Sequence, residues 1–179
     1  TREGCQGLAA AARAGIDQCL GKLYARQDIA PRHVYDMTVV GNTAMHHLAL
    51  GLPTQGLGVA PYAPAVAEAV TVRGVDLGLD MSPEGGVHFP PPIAGFVGSD
   101  ALAVIAATRL ASKTRPSLAI DIGTNTEIAL VYEGQVTVTS CASGPAFEGY
   151  QIAHGMKAVA GAIEKVRVGR DGRSTEIAT

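Results

Sequence analysis

Tryptophan is absent from this chain of 179 residues, and aromatic residues make up only 4% of it. A core without large rings has to be closed by Ala, Val, Leu and Ile packed against glycine, which favours α/β layering. Cysteine is nearly as scarce. Cys5, Cys19 and Cys141 are scattered and odd in number, which argues against a disulfide framework and against a Cys-x-x-Cys metal or redox site, and leaves buried or half-buried thiols as the expectation. Basic charge is not in excess, with 14 Lys and Arg against 16 Asp and Glu and a formal net charge of -2. That balance offers no electrostatic footprint for nucleic acid or an anionic membrane surface, so neither partner is expected. No apolar run approaches the roughly 20 residues that span a bilayer. The amino end also lacks the basic and apolar regions of a signal peptide, and a soluble, cytoplasmic chain is the expectation. The length fits one domain or pieces of two, at roughly 150 residues per domain.

What is present centres on Leu118 to Leu130, LAIDIGTNTEIAL, an apolar strand running into Asp121, Gly123, Thr124 and Asn125 and then into a second apolar run. Gly123 has no Cβ to keep a ligand from the backbone amides, while Thr124 and Asn125 add hydroxyl and amide donors, so the turn can receive an anion. Asp121 alone would repel phosphate. With Mg²⁺ between them the two become compatible, and the implied ligand is Mg²⁺ with a nucleotide. A tight β-hairpin using Asp-x-Gly as ordinary turn chemistry would carry the same residues, and context has to choose.

Around that stretch, Leu8, Ala12, Ile16, Leu20 and Leu23 recur at helical spacing within Arg2 to Tyr24 and predict a helix whose apolar face packs on a sheet, with Cys19 on or near it. Val34 to Val40 reads as a buried strand, ended by Gly41-Asn42-Thr43. Asn42 or Thr43 can cap a short helix from Ala44 to Leu50, a second candidate corner for an anion. His46 and His47 are adjacent on that helix and point about 100° apart, so they cannot form an i, i+4 metal pair and read as structural. Leu52 to Pro64 is a loop, and Val70 to Val75 and Val87 to Phe89 are short strands. Ser99 or Asp100 can cap a helix from Ala101 to Ala111, whose small and branched residues suit a buried hinge element. Glu127 to Tyr132 and Gln135 to Cys141 alternate around Glu133-Gly134 as a hairpin. Ser143 to Gly149 is a glycine turn opening a helix to about His154, with Glu148 complementing the helix dipole. Ala162 to Val168 and Thr175 to Ala178 form a last hairpin. Thr1 is not an initiator methionine and the final run stops inside a strand pattern, so the chain is expected to be a fragment of a longer protein.

A helix of small residues, a strand carrying Asp-x-Gly-Thr, two antiparallel strands and a glycine turn opening a helix together resemble the core of the actin-like ATPase (ASKHA) superfamily, which includes sugar kinases, actin and heat-shock chaperones. The helix from Gly98 to Ala111 resembles its first interdomain connecting helix, Asp121 to Thr126 its second phosphate motif, and Ser143 to Gly149 the glycine loop that follows. The wording GNTAMHHLALG, IAGFVGSD, AIDIGTNTEIAL, SGPAFEG and GMKAVAGAIEKV is similar to the reductive activators of corrinoid proteins, in which an actin-like ATPase region stands behind an iron-sulfur ferredoxin module. That resemblance runs from Val39 to Val166. Two departures are Thr126, where the motif has Gly, and Ser143, in a loop that is otherwise alanine-rich.

The resemblance implies a ribonuclease-H-like, actin-type ATPase fold. Residues 1–112 would be the C-terminal part of the first ATPase domain with the connecting helix, and 113–179 the N-terminal part of the second. It implies ATP and Mg²⁺ as ligands, a corrinoid protein as partner, and ATP-driven reduction of its cobalt(II) to cobalt(I). A [2Fe-2S] cluster is expected in the full-length protein outside this stretch, as are the first phosphate motif and the adenosine motif; a homodimer is one assembly it allows. Asp121 would orient the metal, and Gly123, Thr124, Asn125, Thr126, Ser143 and Gly144 would bind phosphate. Asp100, at the start of the connecting helix, would face the γ-phosphate and position water. Its other reading is an N-cap that satisfies amides near Ala103. A small-molecule kinase of the same superfamily, in which a base deprotonates a substrate hydroxyl, and a nucleotide-free docking module remain the competing functions.

Overall fold

Alanine, leucine, lysine and arginine are strong helix formers, and they fill a single helix of 26 residues, α1 (Arg2–Gln27). Its buried side agrees only in part with the one the apolar spacing predicts. Leu8 and Leu23 are 57% and 51% exposed, whereas Ala9 and Tyr24 are buried and Ile16 and Leu20 pack on the core. The face is chosen by its neighbour, the short helix α2 (Thr43–Leu50), to which the Arg13 Nε–H donates through the Ala49 carbonyl at 2.8 Å. The computed structural model describes residues 2–123, 125–142, 160–163, 165–173 and 175–178.

Strands β1 (Asp36–Thr38), β2 (Val70–Arg73) and β3 (Gly86–Phe89) form a sheet in the order β1-β3-β2. β1 runs parallel to β3 with Met37 opposite Val87, and β2 runs antiparallel with Val72 opposite the same residue. The buried strand expected over Val34 to Val40 shrinks to three residues, because Pro31–His33 forms a 3-10 turn before it and β3 is its one partner in the sheet. Val87 and Phe89 are fully buried on one face of β3. Ala49, Leu77, Leu79 and Met81 close over them.

The third helix expected, Ala101 to Ala111, is shorter and less enclosed. Helix α3 (Ser99–Ala107) has only Ser99 and Ala101 buried, and Arg109 turns left-handed at φ 51° before a 3-10 turn at Leu110–Ser112. Strands β4 (Ser117–Ile122), β5 (Asn125–Tyr132) and β6 (Gln135–Ala142) follow in a sheet of the order β4-β5-β6. Between β5 and β6, Glu133 and Gly134 take φ 50° and 76°, the pair of left-handed residues that a type I′ hairpin turn requires. Leu110, Ala129 and Val131 form a second core with Ile105, Ala119 and Val138. On the opposite face of this sheet Leu118, Ile120, Leu130 and Tyr132 are exposed. Strands β7 (Lys165–Val168) and β8 (Thr175–Ala178) pair antiparallel, as the last hairpin predicts.

The chain divides into two compact units, Thr1–Asp121 with Glu127–Ser140, and Ile122–Thr126 with Cys141–Thr179. Among the described residues no helix is long and apolar enough to cross a membrane. The thiols differ from expectation: Cys5 is half-buried, but Cys19 and Cys141 are exposed.

Candidate functional site

Two helix starts meet in the first unit. Asn42 caps α2 by accepting the Met45 N–H at 2.8 Å, and the following Thr43 hydroxyl donates to the Ala94 carbonyl at 2.6 Å. From the other side, Ser99 N–H donates to the Gly41 carbonyl at 3.0 Å while the Ser99 hydroxyl accepts the Gly41 N–H at 3.2 Å. The approach demands glycine. A Cβ on Gly98 would collide with the Gly41 carbonyl and the Asn42 Cα. Gly98 is therefore the N-cap of α3, without a side-chain cap, and Ser99 is spent on Gly41. Asp100 is half-buried in the first turn, and its Oδ1 accepts the N–H of its neighbour Ala101 at 2.9 Å. The bond to an amide near Ala103 that a cap reading predicts is not the one it makes.

Asp121 lies near the end of β4 and lines a small cavity with Ala101, Val104, Ala119, Glu127, Ala129 and Val138. Two of these, Ala101 and Val104, belong to α3, whose first turn also carries Asp100. The lining residues follow from strand register. Gly123 N–H donates to the Asn125 carbonyl at 3.0 Å, which sets Gly123 opposite Asn125. Counting back along antiparallel strands then puts Asp121 opposite Glu127 and Ala119 opposite Ala129. The two-residue turn at Glu133-Gly134 likewise puts Ser140 opposite Glu127 and Val138 opposite Ala129. Two rows thus cross the sheet on the face that meets α3, one apolar and one polar. In the polar row the Ser140 hydroxyl donates to Glu127 Oε1 at 3.0 Å. The Asp121 side chain makes no hydrogen bond or ion pair with any described residue. Glu127 and Ser140 were not among the residues singled out from the sequence; counting the register back from Glu133-Gly134 would have found them.

The other predicted residues are placed as follows. Gly123, whose amide is engaged by Asn125, sits where a Cβ would meet the Asn125 carbonyl at 3.2 Å, a close approach that favours glycine. Asn125 is exposed, and Thr126 is buried at 9% with its carbonyl accepting the Cys141 thiol at 3.6 Å. Thr124, Ser143, Gly144, Glu148 and His154 lie outside the described residues.

The histidine pair on α2 is built into the fold. His47 Nδ1–H donates to the Thr43 carbonyl at 2.8 Å, and its Nε2 accepts the amides of Ala65 at 3.0 Å and Val66 at 3.3 Å, an arrangement that requires the neutral ring. His46 is buried edge-on against Phe89, and burial first, then the neighbouring His47, pushes its pKa down. No group of three or more potential metal ligands occurs among the described residues.

The description of the RACo middle region matches residues 1–113, and that of the C-terminal domain of RACo, the ASKHA domain, matches residues 115–179. The chain belongs to the RACo family. Within and around that family, it is 40% identical over 151 residues to the corrinoid activation enzyme RamQ of Eubacterium limosum, a stretch that covers 84% of this chain and 25% of RamQ. It is 44% identical over 78 residues to the [Co(II) methylated amine-specific corrinoid protein] reductase of Methanosarcina barkeri, covering 44% of this chain and 14% of that protein. A solved structure of a reductive activator for a corrinoid, iron-sulfur protein superposes over 100% of this chain and 28% of its own, with a TM-score of 0.83 and 32% identity. The chain thus spans about a quarter of the RACo-type relatives RamQ and the solved activator.

Proposed function

We propose that this RACo chain is the nucleotide-responsive part of a reductive activator, in which ATP binding and hydrolysis help an electron from an iron-sulfur module elsewhere in the protein reduce cobalt(II) to cobalt(I) in a partner corrinoid protein. The reading takes the fold to be of the actin-like ATPase type. Residues 1–112 then supply the closing part of one ATPase domain with the connecting helix α3, and residues 113–179 open the next. The observation that carries it is the Asp121 carboxylate near the end of β4, which has no partner among the described residues, in a chain whose second part matches an ASKHA domain.

The residues present fit a hydrated magnesium ion. Asp121 offers hard oxygen donors near the end of β4, and Mg²⁺ is ordinarily held through one or two carboxylates and its own waters rather than by an all-protein cage. When bound, magnesium and ATP supply the charge neutralisation and the free energy of phosphoryl transfer. Asp121 orients the metal end of that ligand, by hydrogen-bonding its water. In this reading Gly123, Thr124, Asn125, Thr126, Ser143 and Gly144 bind the phosphate oxygens; the Gly123 N–H is already given to Asn125, so Gly123 contributes its lack of a side chain. Asp100, held in the first turn of α3 through Ala101, keeps one carboxylate oxygen outside that bond with which to position water.

The test is Asp121→Asn in the full-length protein. The exchange keeps shape and removes charge, so the melting temperature stays unchanged while ATP turnover and ATP-dependent cobalt reduction fall by at least about tenfold, or roughly 1.4 kcal/mol in barrier. Unchanged turnover removes Asp121 from the mechanism.

A further inference from the structure

The polar row Asp121–Glu127–Ser140 contains a carboxylate that the ATPase reading does not itself require. Glu127 stands directly across from Asp121 on the neighbouring strand, and like charges in that position repel. The cavity the two share is lined otherwise by Ala101, Val104, Ala119, Ala129 and Val138, none of them cationic. The Ser140 hydroxyl supports Glu127 Oε1 and fixes the plane of its carboxylate, while Asp121 receives no such support among the described residues. Asp121 is exposed and Glu127 half-buried, so a hydrated cation has access to the pair from solvent. The cavity itself, about 10 Å³, has room for about one water molecule, so an ion belongs outside it and a single water within.

We infer that Glu127, oriented by Ser140, is a positioning residue for the magnesium end of the nucleotide site: it acts through Asp121 and a shared water, and sets how strongly Mg²⁺ and ATP promote each other's binding. This rests on the ATPase reading given above. Without a cation, two negative charges meet the incoming phosphates and weaken nucleotide binding. With Mg²⁺ the same charges hold the hydrated ion. Glu127 therefore raises the dependence of nucleotide affinity on magnesium from both ends.

The affinity of the full-length protein for a fluorescent ATP analogue, measured with Mg²⁺ and with a chelator, tests this in the wild type, Glu127→Gln and Ser140→Ala. Glutamine still accepts the Ser140 hydrogen bond, so folding is preserved while the charge is lost. In Glu127→Gln the tightening produced by Mg²⁺ falls by about tenfold, within the usual range of coupling between two ligands. Chelator-side affinity is unchanged or tighter, and the melting temperature without nucleotide does not fall. Ser140→Ala moves the coupling in the same direction by a smaller factor. Wild-type coupling in Glu127→Gln, or a coupling loss accompanied by a drop in melting temperature, overturns the inference while leaving the ATPase reading intact. If the wild type binds no analogue under either condition, the ATPase reading fails first, and this inference with it.

Discussion

The two three-stranded sheets close their cores differently. In β1-β3-β2 the buried face is apolar, with Val87 and Phe89 at 0% exposure, and it meets the buried ring of His46 edge-on at Phe89, while the neighbouring His47 is paired through both ring nitrogens. In β4-β5-β6 the buried face changes character along its length. Its inner row, Ala119, Ala129 and Val138, packs on α3, and its outer row, Asp121, Glu127 and Ser140, puts two carboxylates at the end of the same surface. The second places two carboxylates at the end of that face, around a cavity that no cationic residue lines.

Substitutions in the two sheets separate stability from ligand chemistry, and the largest effect belongs to the first. Phe89→Ala empties the middle of a closed core and costs about 4 kcal/mol, read as a fall in the denaturant midpoint; a cost below about 1 kcal/mol would mean that this core is not the closed one. Asn42→Ala removes the cap of α2 and costs about 1 kcal/mol. Its effect on nucleotide affinity should be nil, because the cap's amide is satisfied within the helix; a loss of affinity at that residue would make the first sheet part of the site as well. The smallest change is Leu130→Thr on the exposed face of the second sheet, which should shift stability by no more than about 0.5 kcal/mol. A larger loss in the full-length protein would show that this face is covered there.

Several features were legible in the sequence because they depend on a few neighbouring residues. Asn42 caps α2, and Glu133-Gly134 makes the hairpin turn, since each needs only the local chain to supply the geometry. The face of α1 was legible only in its middle: Ile16 and Leu20 pack on the core, but Leu8 and Leu23 at the ends of the same stripe are exposed while Ala9 and Tyr24 are buried, because a 3.6-residue period cannot say how a partner crosses the stripe. The strand at Val34 to Val40 was overdrawn for a related reason, as β-branched residues mark willingness to be a strand and the extent is set by how far β3 runs beside it.

The candidate site divides along the same line. The sequence by itself determined that Asp121 ends an apolar strand before a glycine turn, that Gly98-Ser99-Asp100 opens a helix of small residues, and that the wording belongs with corrinoid activators, because strand period, turn chemistry and motif are properties of consecutive residues. Only the tertiary structure decided that Glu127 and Ser140 stand in line with Asp121, that Gly98 must be glycine to let α3 start against Gly41, and that Asp100 bonds Ala101. Each of these depends on register or on the approach of segments far apart in the chain, where a shift of one residue in pairing would turn every side chain to the opposite face.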